Sequence, residues 1–226
     1  MEHAAKAVVI GGGVLGLEAA WELKKAGVDV QVLEAAPILM GRQLDENASD
    51  ILRMFAEKSG VKISTGVSVE AVEGDGHVSG VRLSDGQVIP AEVVVVSAGV
   101  RANTALAKEI GLDADRAVKV NERMETSVPN VYACGDCAEF NGANYAVWPE
   151  ASEQGRIAGA NAAGDQIEYA ATAPTLTFHG MNTALFAAGD NGKNPNLLYK
   201  TAEFKDMGKG RYSKYYFLNN RLAGVI

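Results

Sequence analysis

The chain carries three glycines at a spacing typical of a turn that binds phosphate. Gly11, Gly13 and Gly16 follow the apolar run Ala7–Ile10, and Glu34 comes 23 residues after the first glycine. The first glycine would permit a tight turn, the second would let the backbone approach a pyrophosphate, and the third would let a helix lie close to a strand. A carboxylate at this distance is suited to accept hydrogen bonds from an adenosine ribose. The pattern therefore predicts a dinucleotide site.

The residues around this turn are predicted to form a strand, a helix and a second strand. Apolar residues recur at helical spacing after the glycines, and the run 28–33 reads as a buried strand that ends at Glu34. The first N–H groups of the helix and its partial positive charge would face the phosphates. A tight turn that binds nothing is the alternative. The predicted cofactor-binding residues here are Gly11, Gly12, Gly13, Val14, Leu15 and Gly16, and the predicted apolar helix face is Leu15, Ala19, Ala20 and Leu23.

Glu34 also bears on which dinucleotide would bind. A carboxylate would repel a 2′-phosphate, and the next basic residue along the chain is Arg42. The sequence therefore favours NAD(H) over NADP(H). An ordinary exposed acid at the end of a strand is the alternative reading of this residue.

The composition narrows the range of partners. The 226 residues are 47% hydrophobic and carry a net charge of −7, which argues against nucleic acid and anionic membranes. No apolar run approaches the roughly 18–20 residues that span a bilayer. Two cysteines form no disulfide framework, which favours a reducing cytoplasm. The first predicted strand begins almost at the N-terminus and an apolar run reaches the C-terminus, so we expect a piece of something longer.

The rest of the first half is predicted to complete a doubly wound domain. A helix is expected over 43–59, and alternating segments with glycine turns over 68–90 predict an antiparallel meander. The run 92–99 then predicts a buried parallel strand whose last residue, Gly99, lies where ligands bind in such sheets. A Rossmann-type parallel sheet with an inserted meander is therefore predicted for residues 1–118.

A second glycine–acid pair, Gly135-Asp136, follows a predicted strand over 131–134. An aspartate behind a glycine can hydrogen-bond the hydroxyls of a closely approaching ligand. The stretch 148–164 is then predicted to be a helix rich in small residues, with Pro149 in its first turn. Small residues would admit a flat ligand or another backbone, and tight packing of the helix on a sheet is the alternative.

Three other features of the sequence are predicted to have structural roles. Cys134 and Cys137 have the spacing of a redox disulfide or of half a zinc site, but the sequence holds no second pair of ligands, so we predict neither use and no metal site. His179 lies in an apolar strand region and is read as a packing residue. The basic, tyrosine-containing stretch 205–216 is read as a solvated hairpin, with a nucleic-acid surface as the alternative.

Together the two glycine-rich stretches resemble the pyridine-nucleotide-dependent FAD oxidoreductases, which include NADH:rubredoxin reductases, NADH oxidases and the flavin part of NAD(P)H nitrite reductases. Residues 8–18 resemble the NAD fingerprint of that family, and residues 126–136 are similar to its second FAD motif. Residues 40–45 resemble the segment that opens its second helix, and residues 175–189 resemble the first strands of its C-terminal domain.

The resemblance implies an α/β fold in three parts. Residues 1–118 would be the NAD(H)-binding Rossmann domain, residues 119–168 a C-terminal segment of the FAD-binding domain, and residues 169–226 part of a C-terminal α+β domain. Family members begin with a further glycine-rich unit for the ADP half of FAD, and this chain contains no second such motif. We therefore expect a fragment that is inactive alone.

The resemblance also assigns roles to particular residues. Asp136, behind Gly135, would hydrogen-bond the flavin ribitol, and Glu18 would lie near the nicotinamide, with an exposed helical acid as its alternative. The N-terminus of the helix that follows would point at the flavin pyrimidine edge. The residues implied there are Pro149, Glu150 and Ala151.

The implied reaction is hydride transfer from NADH to FAD, followed by electron delivery to an acceptor such as rubredoxin, oxygen or nitrite. No catalytic side chain is assigned, because the two cofactors carry that chemistry. The expected partners are NADH and a redox protein such as rubredoxin, and a homodimer stays open. A non-catalytic NAD(H)-binding or interaction module with a Rossmann core is the competing hypothesis.

Overall fold

The computed structural model describes residues 5–226, which form two compact units. The first unit combines the residues up to Gly99 with Thr175–Ile226, and the second is Val100–Pro174. The expected domain borders at residues 118 and 168 stay predictions, because they divide the chain by the cofactor that each part would bind and not by packing.

Four helices and fourteen strands are found in the described residues. In chain order they are β1 (Lys6–Ile10), α1 (Val14–Lys25), β2 (Asp29–Glu34), α2 (Glu46–Lys58), β3 (Lys62–Thr65), β4 (Val69–Gly74), β5 (Val78–Leu83), β6 (Val88–Pro90), β7 (Val93–Val96), α3 (Ala105–Glu109), β8 (Val118–Val120), β9 (Ala138–Phe140), α4 (Trp148–Ala162), β10 (Thr175–Gly180), β11 (Thr183–Gly189), β12 (Lys200–Asp206), β13 (Arg211–Leu218) and β14 (Arg221–Val225).

The first unit is built on a parallel sheet with strand order β3-β2-β1-β7. Val9 in the middle of β1 lies opposite Val32 of β2 and Val95 of β7. Apolar side chains of α1 and α2 pack on this sheet, and Leu17 and Leu52 are almost fully buried in that core. The parallel order places the glycine turn after β1 and the acid at the end of β2 along the same edge of the sheet.

Two antiparallel sheets complete the first unit. Strands β4, β5 and β6 form the meander inserted before β7, and strands β10 to β14 form a five-stranded sheet in the order β10-β11-β14-β13-β12. Phe178 of β10 and Met181 after it are buried in the same core as Leu17. The predicted fold class, an α/β chain with a Rossmann-type parallel sheet and an inserted antiparallel meander, is confirmed, and the part expected to belong to an α+β domain forms the five-stranded sheet.

The second unit has a small core of its own. Its strands β8 and β9 pair in parallel, and α4 packs Ile157 against Met124, Phe140 and Tyr169. The expected strand over 131–134 is wrong, because only an isolated bridge between Glu125 and Tyr132 forms there. The regular strand, β9, begins after the glycine–acid pair and not before it.

Two details of the predicted helices are also wrong. Leu15 is 71% exposed and does not belong to the apolar face of α1, whose buried leucine is Leu17. Helix α2 begins at Glu46 and not at residue 43, because Asp45 caps it by accepting from the N–H of Ala48. The residues just before that cap form a separate turn closed on the carbonyl of Met40.

Two predictions of burial fail for geometric reasons. Strand β7 pairs in parallel with β1 as expected, but it lies at the edge of its sheet and Val96 is 67% exposed. His179 is exposed, because the strand alternation of β10 that buries Phe178 turns its neighbour outward. The hairpin expected over 205–216 is present as β12 and β13, but it is solvated on one face only, because Tyr216 is buried.

Candidate functional site

The glycine turn joins β1 to α1 so tightly that two positions admit no side chain. Gly11 has φ +114°, and a Cβ there would lie 2.2 Å from the carbonyl oxygen of Ser97. A Cβ on Gly16 would lie 2.0 Å from the carbonyl oxygen of Gly11. Both contacts are with backbone atoms, which cannot swing aside. The sequence-based roles of these glycines in turn formation and in helix–strand packing are therefore present in the structure.

Gly13 differs from both of its neighbours in the motif. Its backbone is extended, with φ −80°, and a Cβ added to it would meet no atom within 4 Å. No feature of the fold within the described residues therefore demands glycine here. The open space at Gly13 is the space that a ligand phosphate would use if it approached the backbone, and this fits the predicted role.

The first turn of α1 offers N–H groups to such a ligand. Gly13 is the N-cap, no side chain caps the helix, and the first helical bond runs from the N–H of Leu17 to the carbonyl of Gly13. The N–H groups of Val14, Leu15 and Gly16 are therefore free of the helical ladder at the positive end of the helix dipole. Leu15 contributes its backbone here, while its side chain is exposed.

Glu34 reaches the glycine turn directly. Its Oε2 accepts from the N–H of Gly12 at 2.6 Å, and its Oε1 accepts from the N–H of Ala36 at 2.7 Å. A carboxylate has about four acceptor positions, so these two bonds leave room for ribose hydroxyls. The structure thus brings the predicted acid and the predicted turn together, and its bonds orient the carboxylate without saturating it.

Residues that the sequence patterns did not single out line the back of the turn. The N–H of Met40 donates to the carbonyl of Gly12 at 3.0 Å, and the fully buried Leu39 side chain lies against Gly12. The N–H of Leu39 donates in turn to Ser49 Oγ at 2.8 Å. Only the resemblance of residues 40–45 to a family segment pointed to this region, because nothing in the local spacing connects it with the glycines.

The other two predicted site residues of the first unit, Gly99 and Glu18, make fewer contacts with neighbouring residues. Gly99 follows β7 with φ +89° and open space around its Cβ position. Glu18 is half-buried on α1, and no hydrogen bond or ion pair within residues 5–226 holds its carboxylate. Their roles toward a nicotinamide and at the strand end stay predictions.

In the second unit the glycine–acid pair is held through its backbone. The N–H of Gly135 donates to Oε1 of the buried Gln154 at 2.8 Å, and a Cβ on Gly135 would lie 3.4 Å from that of Ala151. Asp136 is exposed, and in the described part of the chain nothing hydrogen-bonds its carboxylate. The side chain is therefore free to accept from a ligand hydroxyl.

The start of α4 leaves its own first turn uncapped by any side chain. Pro149 stands in the first turn, as predicted, and Val147 is the N-cap. Glu150 is only 7% exposed, and its carboxylate accepts from the Thr172 hydroxyl at 3.2 Å. The Glu150 side chain thus lies in the interior of the second unit. Any contact of Glu150 with a cofactor would therefore come from its backbone N–H.

Both cysteines are free thiols. Cys134 is half-buried, Cys137 is exposed, and the Cys137 thiol donates to the carbonyl of Cys134 at 3.3 Å. Burial, with a smaller effect of Cys137, raises the pKa of the Cys134 thiol, which disfavours the reactive thiolate. Within residues 5–226, no group of three His, Cys, Asp or Glu side chains could hold a metal ion.

None of the helices in residues 5–226 is both long and apolar enough to cross a membrane.

The parallel sheet, the glycine turn that opens α1 and the acid at the end of β2 define an α/β protein of the doubly wound class. A sequence profile described as pyridine nucleotide-disulphide oxidoreductase matches residues 1–155. The chain belongs to this family, whose members are NAD(P)H-dependent flavin oxidoreductases with FAD and NAD(P)H as cofactors.

Three known proteins place the chain within the family. It is 36% identical to a nitrite reductase [NAD(P)H] of Bacillus subtilis (strain 168), over 98% of this chain and 27% of that protein. It is 31% identical to an NADH-rubredoxin oxidoreductase of Clostridium acetobutylicum, over 88% of this chain and 50% of that protein. The crystal structure of a FAD-dependent pyridine nucleotide-disulphide oxidoreductase from Desulfovibrio vulgaris superposes with a TM-score of 0.87 at 28% identity, covering 99% of this chain and 59% of that one.

These shares show that the chain spans at most about half the length of the two curated relatives named above. Its membership of the family rests on sequence and fold together.

Proposed function

We propose that this chain is part of an NADH-dependent FAD oxidoreductase, in which it binds NADH and passes reducing equivalents through a flavin to an acceptor. The open space at Gly13, beside the free N–H groups of α1, is the observation that carries the NADH part of the proposal. The bound flavin would accept hydride from the nicotinamide. The residues of the chain bind and orient the two cofactors.

The glycine turn would hold the pyrophosphate of the coenzyme through the N–H groups of Val14, Leu15 and Gly16, with Gly13 admitting its close approach. Glu34 would accept from the adenosine ribose while it keeps its bonds to the backbone N–H groups of Gly12 and Ala36. Its negative charge would repel a 2′-phosphate, so we propose NADH and not NADPH as the reductant.

The flavin part of the proposal rests on the second unit. The exposed carboxylate of Asp136 would accept from a ribitol hydroxyl, with Gly135 held in place by the buried Gln154. The partial positive charge at the N-terminus of α4 would lie near a negatively charged part of the flavin and would stabilise that charge by roughly 0.3–1 kcal/mol. Pro149, Glu150 and Ala151 would contribute backbone to this contact.

The proposal for the electron acceptor is based on the names of two relatives. One is named a nitrite reductase and another an NADH-rubredoxin oxidoreductase, so we propose a small electron-carrier protein or nitrite as the final acceptor. A rubredoxin-like carrier is the partner to test first, because it needs no further enzyme domain to accept electrons.

The substitution Gly13→Ala tests the dinucleotide site. The added methyl group meets open space in the protein but would collide with a pyrophosphate on the turn, so we expect NADH affinity to fall at least tenfold with no change in the thermal unfolding midpoint. Isothermal titration of NADH and NADPH measures both the loss and the coenzyme preference. Gly208→Ala, which adds the same methyl group near the tip of the β12–β13 hairpin, is the control.

Unchanged NADH affinity in the Gly13→Ala variant would contradict the proposed site. Incubation with FAD, followed by gel filtration and an absorbance spectrum, tests the flavin part separately. A chain that binds NADH but retains no flavin would fit both a truncated oxidoreductase and a non-catalytic NAD(H)-binding module, and the same flavin assay on the full-length protein would separate the two.

A further inference from the structure

The segment that backs the glycine turn is residues 39–45, called here the backing loop. Met40 donates its N–H to the carbonyl of Gly12 at 3.0 Å, and the fully buried Leu39 side chain packs against the same glycine. A Cβ on Gly12 would lie 2.7 Å from the Leu39 Cδ2. Any shift of the backing loop would therefore shift Gly12, whose N–H is also bound to Glu34.

Side chains from the far end of the chain hold this loop. The loop after β11 carries Lys193, whose Nζ donates to the carbonyl of Gly41 and, at 2.8 Å, to the carbonyl of Leu44. Asn191 of the same loop donates its Nδ2 to the carbonyl of Arg42 at 2.7 Å. Three backbone carbonyls of one turn are thus bound by two side chains that lie about 150 residues away in sequence.

The end of the backing loop is held a second time, by β13. The carboxylate of Asp45 accepts from the hydroxyl of Tyr212, from the hydroxyl of Tyr216 at 3.2 Å and from Lys214 Nζ at 3.3 Å. It also accepts from the N–H of Ala48 at 3.0 Å. Between this anchor and Gly12, the turn closes on the carbonyl of Met40, and the Lys193 and Asn191 bonds add side-chain donors to three carbonyls that this closure leaves unpaired.

We propose that Lys193 and Asn191 are positioning residues of the dinucleotide site. They keep the backing loop, and through it Gly12 and Glu34, in the conformation that binds the adenosine diphosphate half of the coenzyme. The inference rests on the proposed function, because it assumes that NADH binds at the glycine turn. It adds that the affinity of that site depends on the C-terminal segment of the chain.

The expected loss of NADH affinity depends on the fraction of molecules in which the backing loop keeps its binding-competent conformation. Removal of the Lys193 ammonium leaves two carbonyls of the backing loop to water and lets the loop adopt other conformations. If the competent conformation falls to between a third and a tenth of the population, the apparent dissociation constant rises about 3- to 10-fold. The loss should be equal for NADH and for ADP-ribose, since both share the half of the coenzyme that faces Gly12 and Glu34.

The test compares Lys193→Met and Lys193→Arg by isothermal titration with NADH and with ADP-ribose. We expect Lys193→Met to weaken both ligands 3- to 10-fold. Lys193→Arg, which keeps donors for the carbonyls, should stay within twofold of the unsubstituted chain. Lys209→Met is the matched control, because it removes an equal charge from an exposed turn whose lysine forms only a 3.9 Å ion pair with Asp206.

A second measurement separates positioning from global destabilisation. Exchange of the Met40 amide hydrogen, which is bonded to Gly12, should quicken in Lys193→Met while the amides of β1 keep their protection. Equal NADH affinity in Lys193→Met and the unsubstituted chain would overturn the inference. So would an equal loss in Lys209→Met, which would make the effect purely one of charge. An unsubstituted chain that binds neither NADH nor ADP-ribose would instead overturn the proposed function.

Discussion

The two glycine–acid pairs of this protein, one in each compact unit, are held in opposite ways. Glu34 accepts two backbone N–H bonds, one of them from Gly12, so its carboxylate is oriented before any ligand arrives. Asp136 is exposed and its carboxylate has no partner in the described residues, although its neighbour Gly135 is bound to the buried Gln154.

The two arrangements imply different sources of binding free energy at the two sites. A preorganised acid loses little freedom when a ligand binds, whereas a free side chain must be ordered at that moment, at about 0.5–1.5 kcal/mol for a mobile side chain. We therefore expect the first unit to bind its ligand with its own residues. The second unit fixes the backbone and leaves the acid to be ordered by the ligand.

The largest effect on the first site is expected when the tight turn itself is disrupted. Gly16→Ala places a Cβ 2.0 Å from the carbonyl oxygen of Gly11, so α1 must move away from β1. We expect the free energy of unfolding to fall by about 3 kcal/mol and NADH binding to be lost. Urea unfolding followed by circular dichroism measures the change.

Gly13→Ala is the internal control for that experiment, since it adds the same group three residues away into open space. Equal unfolding midpoints for the two variants would mean that the turn is less constrained than its backbone contacts indicate.

Matched amide substitutions of the two acids should change stability by different amounts. Glu34→Gln leaves only one acceptor oxygen for the N–H groups of Gly12 and Ala36, and we expect a loss of about 1–2 kcal/mol in stability. Asp136→Asn removes no protein contact, so its effect should stay within about 0.5 kcal/mol. Chemical unfolding of both variants decides the point, and a larger cost for Asp136→Asn would reverse the interpretation.

The remaining expected effect is a dependence of stability on pH that arises in the first unit. Burial opposes ionisation of Asp45, but the hydrogen bonds from Tyr212, from the Ala48 N–H and from Lys214 outweigh it and hold the pKa of that carboxyl below its ordinary value. A lowered pKa in the folded state stabilises the protein above the unfolded pKa of about 3.9, and this contribution is lost as the pH falls through the folded value.

We therefore expect the stability of the unsubstituted chain to fall more steeply below about pH 4 than that of Asp45→Asn. Asparagine keeps the acceptor for the Ala48 N–H but not the oxygen that accepts from Tyr212, Tyr216 and Lys214, so the variant should lose about 2 kcal/mol at neutral pH. Thermal unfolding at a series of pH values measures both slopes. Parallel slopes in the two proteins would show that Asp45 is not the group responsible.

The success of the sequence-based predictions depends on how local the responsible contacts are. The strand, turn and helix from Lys6 to Lys25 follow from apolar spacing and glycines within 20 residues, and they form as predicted. The strand expected over 131–134 does not form, because that segment pairs only at an isolated bridge between Tyr132 and Glu125. Helix α2 begins late because Met40 closes a turn before it.

The glycine turn, the acid at the end of β2, the inserted meander and the family could all be predicted from the amino-acid sequence, since each depends on residues close together along the chain. Only the tertiary structure decided that Glu34 binds Gly12, that Glu150 faces inward, and that Lys193 holds the loop behind the turn. Those contacts join elements separated by loops and whole strands, and short-range spacing carries no information about which side chain will meet which carbonyl.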